Sequence, residues 1–119
     1  KSPTRTIYNY SVSQCVQLTR KNHKVQVGCF MCIYPGELDS QLEWPFRKVY
    51  TVGIVHPKNP SRVISGEVDA GDNGDMACFR KRQGKENQPC GIELSTTEKL
   101  ERGGFIQENT LHMFLEIEP

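Results

Sequence analysis

The chain has 119 residues, a size typical of one domain with a single hydrophobic core. Its hydrophobic fraction of 36% and charged fraction of 24% are ordinary for a globular protein. Fifteen Lys and Arg against fourteen Asp and Glu leave a net charge of +1, which gives no field for gathering nucleic-acid phosphates. No apolar run is long enough to cross a bilayer. We therefore expect neither a nucleic-acid partner nor membrane insertion.

The five cysteines favour a reduced, cytoplasmic setting, because an odd number leaves at least one thiol unpaired and the spacing matches no disulfide framework. Cys29 and Cys32 have the C-x-x-C spacing of zinc and redox sites. Residues three apart on a strand point to opposite faces, so these two sulfurs would diverge, with one buried and the other partly exposed. No second C-x-x-C and no paired His completes a set of four ligands, and Cys78 and Cys90 lie twelve residues apart in loop-like sequence. We therefore predict no metal and no cofactor.

The first half of the chain is predicted to form three strands. Apolar residues alternate with polar ones from Tyr8 to Leu18, and again from Val25 to Ile33 after a polar connection. The third strand follows Trp44-Pro45-Phe46 and places Tyr50, Val52 and Ile54 on one face. We expect the tryptophan to anchor the entrance to this central strand.

The second half contains shorter elements. We predict a short strand at Arg62–Ser65, a turn-rich loop from Val68 to Asp75, and a solvated basic loop from Arg80 to Lys85. Ser95 and Glu98 fit a capping box for a brief helix that ends at Gly103. The clearest strand closes the chain, with four inward residues: Leu111, Met113, Leu115 and Ile117. Together these elements predict an all-β, antiparallel sandwich with one short helix near the C-terminus.

No catalytic motif is present in the sequence. His23, His56 and His112 are isolated from one another and from any recognisable nucleophile motif, and the acidic loop around Asp72 lacks the full calcium-loop pattern. We therefore predict that the chain is a binding module and not an enzyme.

Several stretches resemble the TRAF family, in the TRAF-C branch of the MATH domains. The most specific is Trp44-Pro45-Phe46 after the acidic turn of Tyr34–Gln41. Tyr8-Asn9-Tyr10, Val68–Phe79 and Phe105–Leu111 are similar to further family elements. The resemblance implies an antiparallel β-sandwich that binds short extended peptides along a sheet edge. It covers residues 1–119 as a single domain that is N-terminally incomplete, because the family's first strand has no counterpart.

The resemblance also implies a peptide-binding site with altered chemistry. The family's peptide-contacting positions fall on seven residues here: Cys15, Gln17, Lys21, Met76, Ala77, Cys78 and Gly91. Donor side chains of the family are replaced by apolar or thiol groups, and an acidic residue is replaced by Lys21. A ligand of this site should therefore be more apolar or more acidic than the family's usual peptides.

The function implied is that of an interaction domain in an intracellular signalling adaptor or a ubiquitin-ligase-associated protein, with a receptor tail or adaptor peptide as partner. A second hypothesis is a scaffolding module of a larger ubiquitin-pathway protein that no longer uses its groove. A secreted interaction domain is disfavoured by the odd cysteine count. Because the chain has no coiled coil, we expect a monomer in isolation, with any oligomer formed through regions outside this chain.

Overall fold

The structure, a computed structural model, describes residues 4–72, 79 and 89–119. These residues form eight β-strands, one α-helix and a short 3-10 helix. The strands are β1 (Arg5–Ile7), β2 (Tyr10–Lys21), β3 (Lys24–Tyr34), β4 (Val49–Val55), β5 (Val63–Asp69), β6 (Cys90–Thr96), β7 (Ile106–Gln107) and β8 (Thr110–Ile117). Helix α1 is Thr97–Arg102, and the 3-10 helix is Asp39–Gln41.

The strands form two four-stranded sheets that pack face to face. The first sheet has the order β1-β2-β3-β6 and the second the order β5-β4-β8-β7, with all neighbours antiparallel. Each sheet turns one face to the core and the other outward, as the alternating sequence requires. The predicted all-β antiparallel sandwich with one short helix is confirmed.

The core is centred on β4, as predicted. Tyr50, Val52 and Ile54 share one face and are fully buried. Val12 and Met31 bury their side chains from the first sheet. The inward residues of β8 complete the core, with Leu115 and Ile117 buried and Leu111 and Met113 half-buried.

An aromatic cluster closes the core before β4. The ring of Tyr10 packs edge-on against Trp44 at 5.4 Å and against Phe46 at 4.9 Å. The indole nitrogen of Trp44 donates a 2.9 Å hydrogen bond to the carbonyl oxygen of Asp39 in the 3-10 helix. The tryptophan is thus fixed at the entrance to the central strand, where the sequence placed it.

Two tight turns shape the first sheet. Tyr8 and Asn9 both have positive φ, and they join β1 to β2 as a two-residue hairpin. Asn22 and His23 form a second turn of this kind between β2 and β3. The prediction that a buried strand begins at Tyr8 is wrong, because Tyr8 lies in the turn and is 47% exposed.

The structure also corrects the start of the helix. The N-cap is Thr96, whose hydroxyl accepts a 3.2 Å hydrogen bond from the Lys99 amide, so the predicted Ser95 capping box is wrong. The helix ends at Gly103 as expected. The residue with positive φ, however, is the following Gly104, at +79°.

The described part of the chain contains four cysteines that form no disulfide: Cys15, Cys29, Cys32 and Cys90. Cys29 and Cys32 lie on opposite faces of β3, as predicted, but both are fully buried, so the expected partial exposure of one thiol is wrong. Cys90 begins β6 and does not lie in a loop. Burial of the Cys29 thiol, with a smaller effect from the Cys15 charge, raises its pKa to about 11, so this thiol is neutral at physiological pH.

Candidate functional site

The outer face of the first sheet brings together the predicted site residues that the structure describes. In the strand register, Cys15 of β2 lies beside Phe30 of β3, and Phe30 lies beside Gly91 of β6. Cross-strand partners share a face, so these three residues form one row across the sheet. Gln17, Gly28 and Glu93 form the next row.

Lys21 extends this face toward the tip of the β2–β3 hairpin. Its ammonium nitrogen lies 2.9 Å from a carboxylate oxygen of Glu93, with the two side chains 55% and 39% exposed. An ion pair this exposed contributes at most about 1 kcal/mol to stability. The positive charge of Lys21, which was predicted at the site from the sequence, is therefore balanced by the Glu93 carboxylate on β6.

Cys15, Gln17, Lys21 and Gly91 thus lie on one face, with Cys15, Gln17 and Gly91 close together and Lys21 about 20 Å along β2 from Cys15. Met76, Ala77 and Cys78, which were also expected at the site, lie outside the described residues, as does the basic segment Arg80–Lys85. Sequence reasoning missed Gly28, Phe30 and Glu93, which share the face. The sequence hint to these three residues was their alternation with buried neighbours. Only the strand register, however, shows which strands are adjacent.

Gly91 allows an unusually close approach between β3 and β6. A Cβ atom at this position would lie 2.0 Å from the carbonyl oxygen of Cys29 and 2.6 Å from the Cα of Phe30. Both atoms belong to the backbone and cannot move aside without shifting the strand. Only glycine therefore fits here, and Gly91 itself adds no side chain to this surface.

Phe30 forms an apolar platform in the middle of the face. Its ring folds over the neighbouring glycine, since a Cβ on Gly28 would lie 2.5 Å from the ring atom Cε1. Phe30 is half-buried. Because Gly91 carries no side chain, the platform is flanked on its β6 side by bare backbone.

The turn at Asn22 and His23 fixes which backbone groups of the first sheet are paired. A two-residue turn closes on a hydrogen-bonded pair, here Lys21 and Lys24, so the backbone N–H and C=O groups of Lys24 point toward β2. Along β3 the backbone N–H and C=O groups of successive residues point alternately to its two sides. The groups of Cys29 therefore point away from β2, toward β6.

The outer edge of β6 follows from this alternation. Cys29 is opposite Ile92, and Met31 is opposite Cys90, so Ile92 and Cys90 pair with β3. The backbone groups of Gly91 and Glu93 point in the opposite direction, away from the sheet. Within the described residues no strand pairs with this edge of β6. It is open to an added strand.

Comparison with known families now identifies the fold. The family model of the TRAF/meprin MATH domain matches residues 5–114. The chain belongs to this family. A solved structure of TRAF5 from Notothenia coriiceps superposes on the MATH domain described here with a TM-score of 0.78 at 16% sequence identity. That match covers 93% of this chain and 56% of the TRAF5 chain, so this domain spans just over half of that chain. A search of curated proteins gives no match.

Membership confirms the family resemblance seen in the sequence. MATH domains are interaction modules, and this chain is accordingly a protein-interaction domain. No helix in the part of the chain that the structure describes is long and apolar enough to cross a membrane. Residues 4–72, 79 and 89–119 also contain no cluster of three or more His, Cys, Asp or Glu side chains that could hold a metal ion.

Proposed function

We propose that this MATH domain binds an extended segment of a partner protein by adding it as a strand to the outer edge of β6. The observation that carries the proposal is the open edge at Gly91 and Glu93. Their backbone N–H and C=O groups point away from β3 and can pair with the backbone of a ligand. Backbone pairing supplies affinity for an extended chain, and the adjacent side chains supply selectivity.

Side chains of such a ligand would alternate between the two faces of the sheet. One that lies over Gly91 is not obstructed by a side chain of that residue and reaches toward the ring of Phe30, with Cys15 beyond it in the same row. An apolar ligand residue therefore fits this position. An acidic residue near Lys21 would have to compete with Glu93, so the preference for acid predicted from the sequence is weakened at this site.

We propose further that the partner is the tail of a receptor or an adaptor protein. The domain would then serve in the cytoplasm, in a signalling adaptor or a ubiquitin-ligase-associated protein. This role is supported by membership of the MATH family and by the four described cysteines that form no disulfide, which suits a reducing compartment.

The test is an NMR titration of the isolated chain with peptides of the family's P-x-Q-x-[ED] type and with an unbiased peptide pool. The proposal predicts shifts at the backbone amides of Gly91 and Glu93 and at the side chains of Gln17 and Phe30. Phe30→Leu keeps an apolar strand residue but removes the ring, and it should weaken binding by roughly threefold to tenfold. Glu116→Gln, on the outer face of the second sheet, is the matched control and should bind as the unmodified chain does.

The scaffolding alternative is favoured by one contact, the Lys21–Glu93 ion pair. This pair spans the face from β2 to β6 and occupies groups that a ligand would otherwise use. A folded spectrum without shifts at Gly91 or Glu93 for any peptide would contradict the edge-binding proposal. That outcome would leave scaffolding through other faces as the function.

A further inference from the structure

A second open edge lies on the opposite side of the first sheet. β1 is short and pairs only with Tyr10, Ser11 and Val12, at the beginning of β2. The rest of β2 runs on to Lys21 with β3 on one side and no described strand on the other. β2 and β6 are separated by two strand spacings, about 10 Å, so this edge is distinct from that of β6.

The backbone groups on the β2 edge can be assigned from the hairpin turns. The turn at Asn22 and His23 directs the N–H and C=O of Lys21 toward β3. By alternation, the groups of Val16, Leu18 and Arg20 point to the open side. These three residues thus direct six backbone groups to the open side, which is the pattern that an added strand requires. One of the six, the carbonyl oxygen of Val16, also accepts a weak 3.8 Å bond from the Cys15 thiol.

The side chains along this edge are exposed on both faces of the sheet. Every residue from Gln17 to Lys21 is exposed, and Leu18 is 64% exposed although it lies on the inner face. Its cross-strand partner Val27 is buried, with 1% of its surface exposed. An apolar residue of an added strand, placed opposite Leu18, would extend this apolar row by one member.

The charge of the edge determines what kind of strand fits. β1 and β2 carry Arg5, Arg20 and Lys21 and contain no Asp or Glu. His23 and Lys24 follow in the hairpin. No described carboxylate lies within ion-pair distance of Arg20. The β2 edge of a second copy of the chain would offer no carboxylate to Arg20, because β2 contains no Asp or Glu. An acidic strand would instead place a carboxylate beside Arg20.

We propose that the open edge of β2 is a second docking site, which takes an extended acidic segment of a partner protein as an antiparallel strand. Read from the N-terminus of that segment, the residues opposite Lys21 to Val16 follow the pattern acid, acid, any, apolar, any, apolar. The first acid competes with Glu93 for Lys21, the second acid lies beside Arg20, and the first apolar residue covers Leu18. The site is independent of the β6 edge, because the two lie on opposite edges of the sheet.

The test uses the blocked hexapeptide EETVTV, titrated into the 119-residue chain and followed by NMR. Shifts are expected at the backbone amides of Val16, Leu18 and Arg20, with binding that weakens as salt rises. N-methylation of the fourth peptide residue, whose N–H would bond to Leu18, should abolish binding. N-methylation of the fifth, whose N–H points away, should leave binding intact.

Protein variants separate the contributions of charge and apolar contact. Arg20→Glu should weaken binding by about tenfold or more, and Leu18→Thr, which keeps a strand-forming residue, by roughly fivefold. The matched controls are Lys58→Glu, in an exposed loop, and Val63→Thr, an exposed apolar residue on β5; neither should change the affinity. The peptide QQTVTV should bind more weakly than EETVTV.

Three outcomes would overturn this second site. They are shifts confined to Gly91 and Glu93, equal binding of EETVTV and QQTVTV, and a dimer in analytical ultracentrifugation that is lost in Leu18→Thr. The first would assign the peptide to the β6 edge, and the last would assign the β2 edge to a second copy. Failure at β2 would leave the β6 proposal intact, because each site is followed by its own amides.

Discussion

The hydroxyl of Tyr50 donates a 2.8 Å hydrogen bond to the carbonyl oxygen of Cys90, 40 residues away along the chain. Tyr50 is fully buried on β4 at the centre of the second sheet, whereas Cys90 begins β6 in the first. Gly91, the residue proposed to pair with a ligand, follows directly. The bond therefore ties the proposed binding edge to the centre of the core.

Tyr50→Phe should lower the free energy of unfolding by about 1 to 2 kcal/mol, because the buried carbonyl oxygen of Cys90 loses a donor. Urea denaturation measures the change. Tyr8→Phe is the matched control, since Tyr8 is exposed in a turn, and it should change stability by less than about 0.5 kcal/mol. Equal stabilities of the two variants would show that the bond contributes nothing.

Gly91→Ala should be far more destabilising than Gly28→Ala. The new methyl group at Gly91 would meet the backbone of Cys29 and Phe30, whereas at Gly28 it mainly meets the Phe30 ring, which can rotate away. We expect a loss of about 3 kcal/mol or more for Gly91→Ala and about 1 kcal/mol for Gly28→Ala. Thermal unfolding measures the stability of the two variants. A larger loss for Gly28→Ala than for Gly91→Ala would contradict the close approach of β3 and β6.

Thr96→Ala should cost about 1 kcal/mol of stability, because the hydroxyl of Thr96 caps the Lys99 amide at the start of α1. Ser95→Ala, one residue earlier, removes a hydroxyl that makes no cap and should cost clearly less. Chemical denaturation of both variants distinguishes the two candidate caps. A larger loss for Ser95→Ala would restore the capping box predicted from the sequence.

Stability should fall steeply above pH 9. Burial, with a smaller effect from the Cys15 charge, raises the pKa of Cys29 from 9.0 to about 11. Between these two pH values the unfolded chain releases a proton that the folded chain keeps. The contribution of Cys29 to the free energy of unfolding is therefore fully present below pH 9 and lost by pH 11. The free energy of unfolding falls by roughly 3 kcal/mol over this range. Burial, helped by the carboxylates of Glu43 and Asp39, also raises the pKa of Tyr10, which adds to the fall above pH 10.

Denaturation curves collected from pH 7 to 11 measure this dependence. Cys29→Ala removes the titrating group and should flatten the decline between pH 9 and 10, where Tyr10 contributes little. Val27→Ala, which alters another fully buried side chain of β3 without a titrating group, is the control and should keep the full decline. The assignment to Cys29 would be wrong if Cys29→Ala declined as steeply as the unmodified chain.

The central strand and the closing strand were predictable because their alternation of apolar and polar residues is regular. β6 was not, because a bulge interrupts its alternation: Glu93 lies opposite Gly28 and Ser95 opposite Val27, and the extra residue Leu94 lies between them. The turn at Tyr8 was also missed, since a tyrosine with positive φ is uncommon and the apolar alternation continues through it.

The candidate site was predictable only in part. Family motifs pointed to Cys15, Gln17, Lys21 and Gly91, and the structure places these four on one face. The role of Phe30 and the pairing of Lys21 with Glu93 depend on the cross-strand register, which local sequence does not encode. The open edge at Leu18 likewise becomes visible only once the pairing of β1 with β2 is known to begin at Arg5, opposite Val12.

The most direct test of the binding proposal is amide hydrogen exchange at Gly91 and Glu93, with and without a saturating peptide from the titration. If the ligand adds a strand to β6, these two amides should become protected by roughly 100-fold when free peptide exceeds its Kd by that factor. Unchanged exchange at both positions, with protection appearing elsewhere on the domain, would contradict strand addition at the β6 edge.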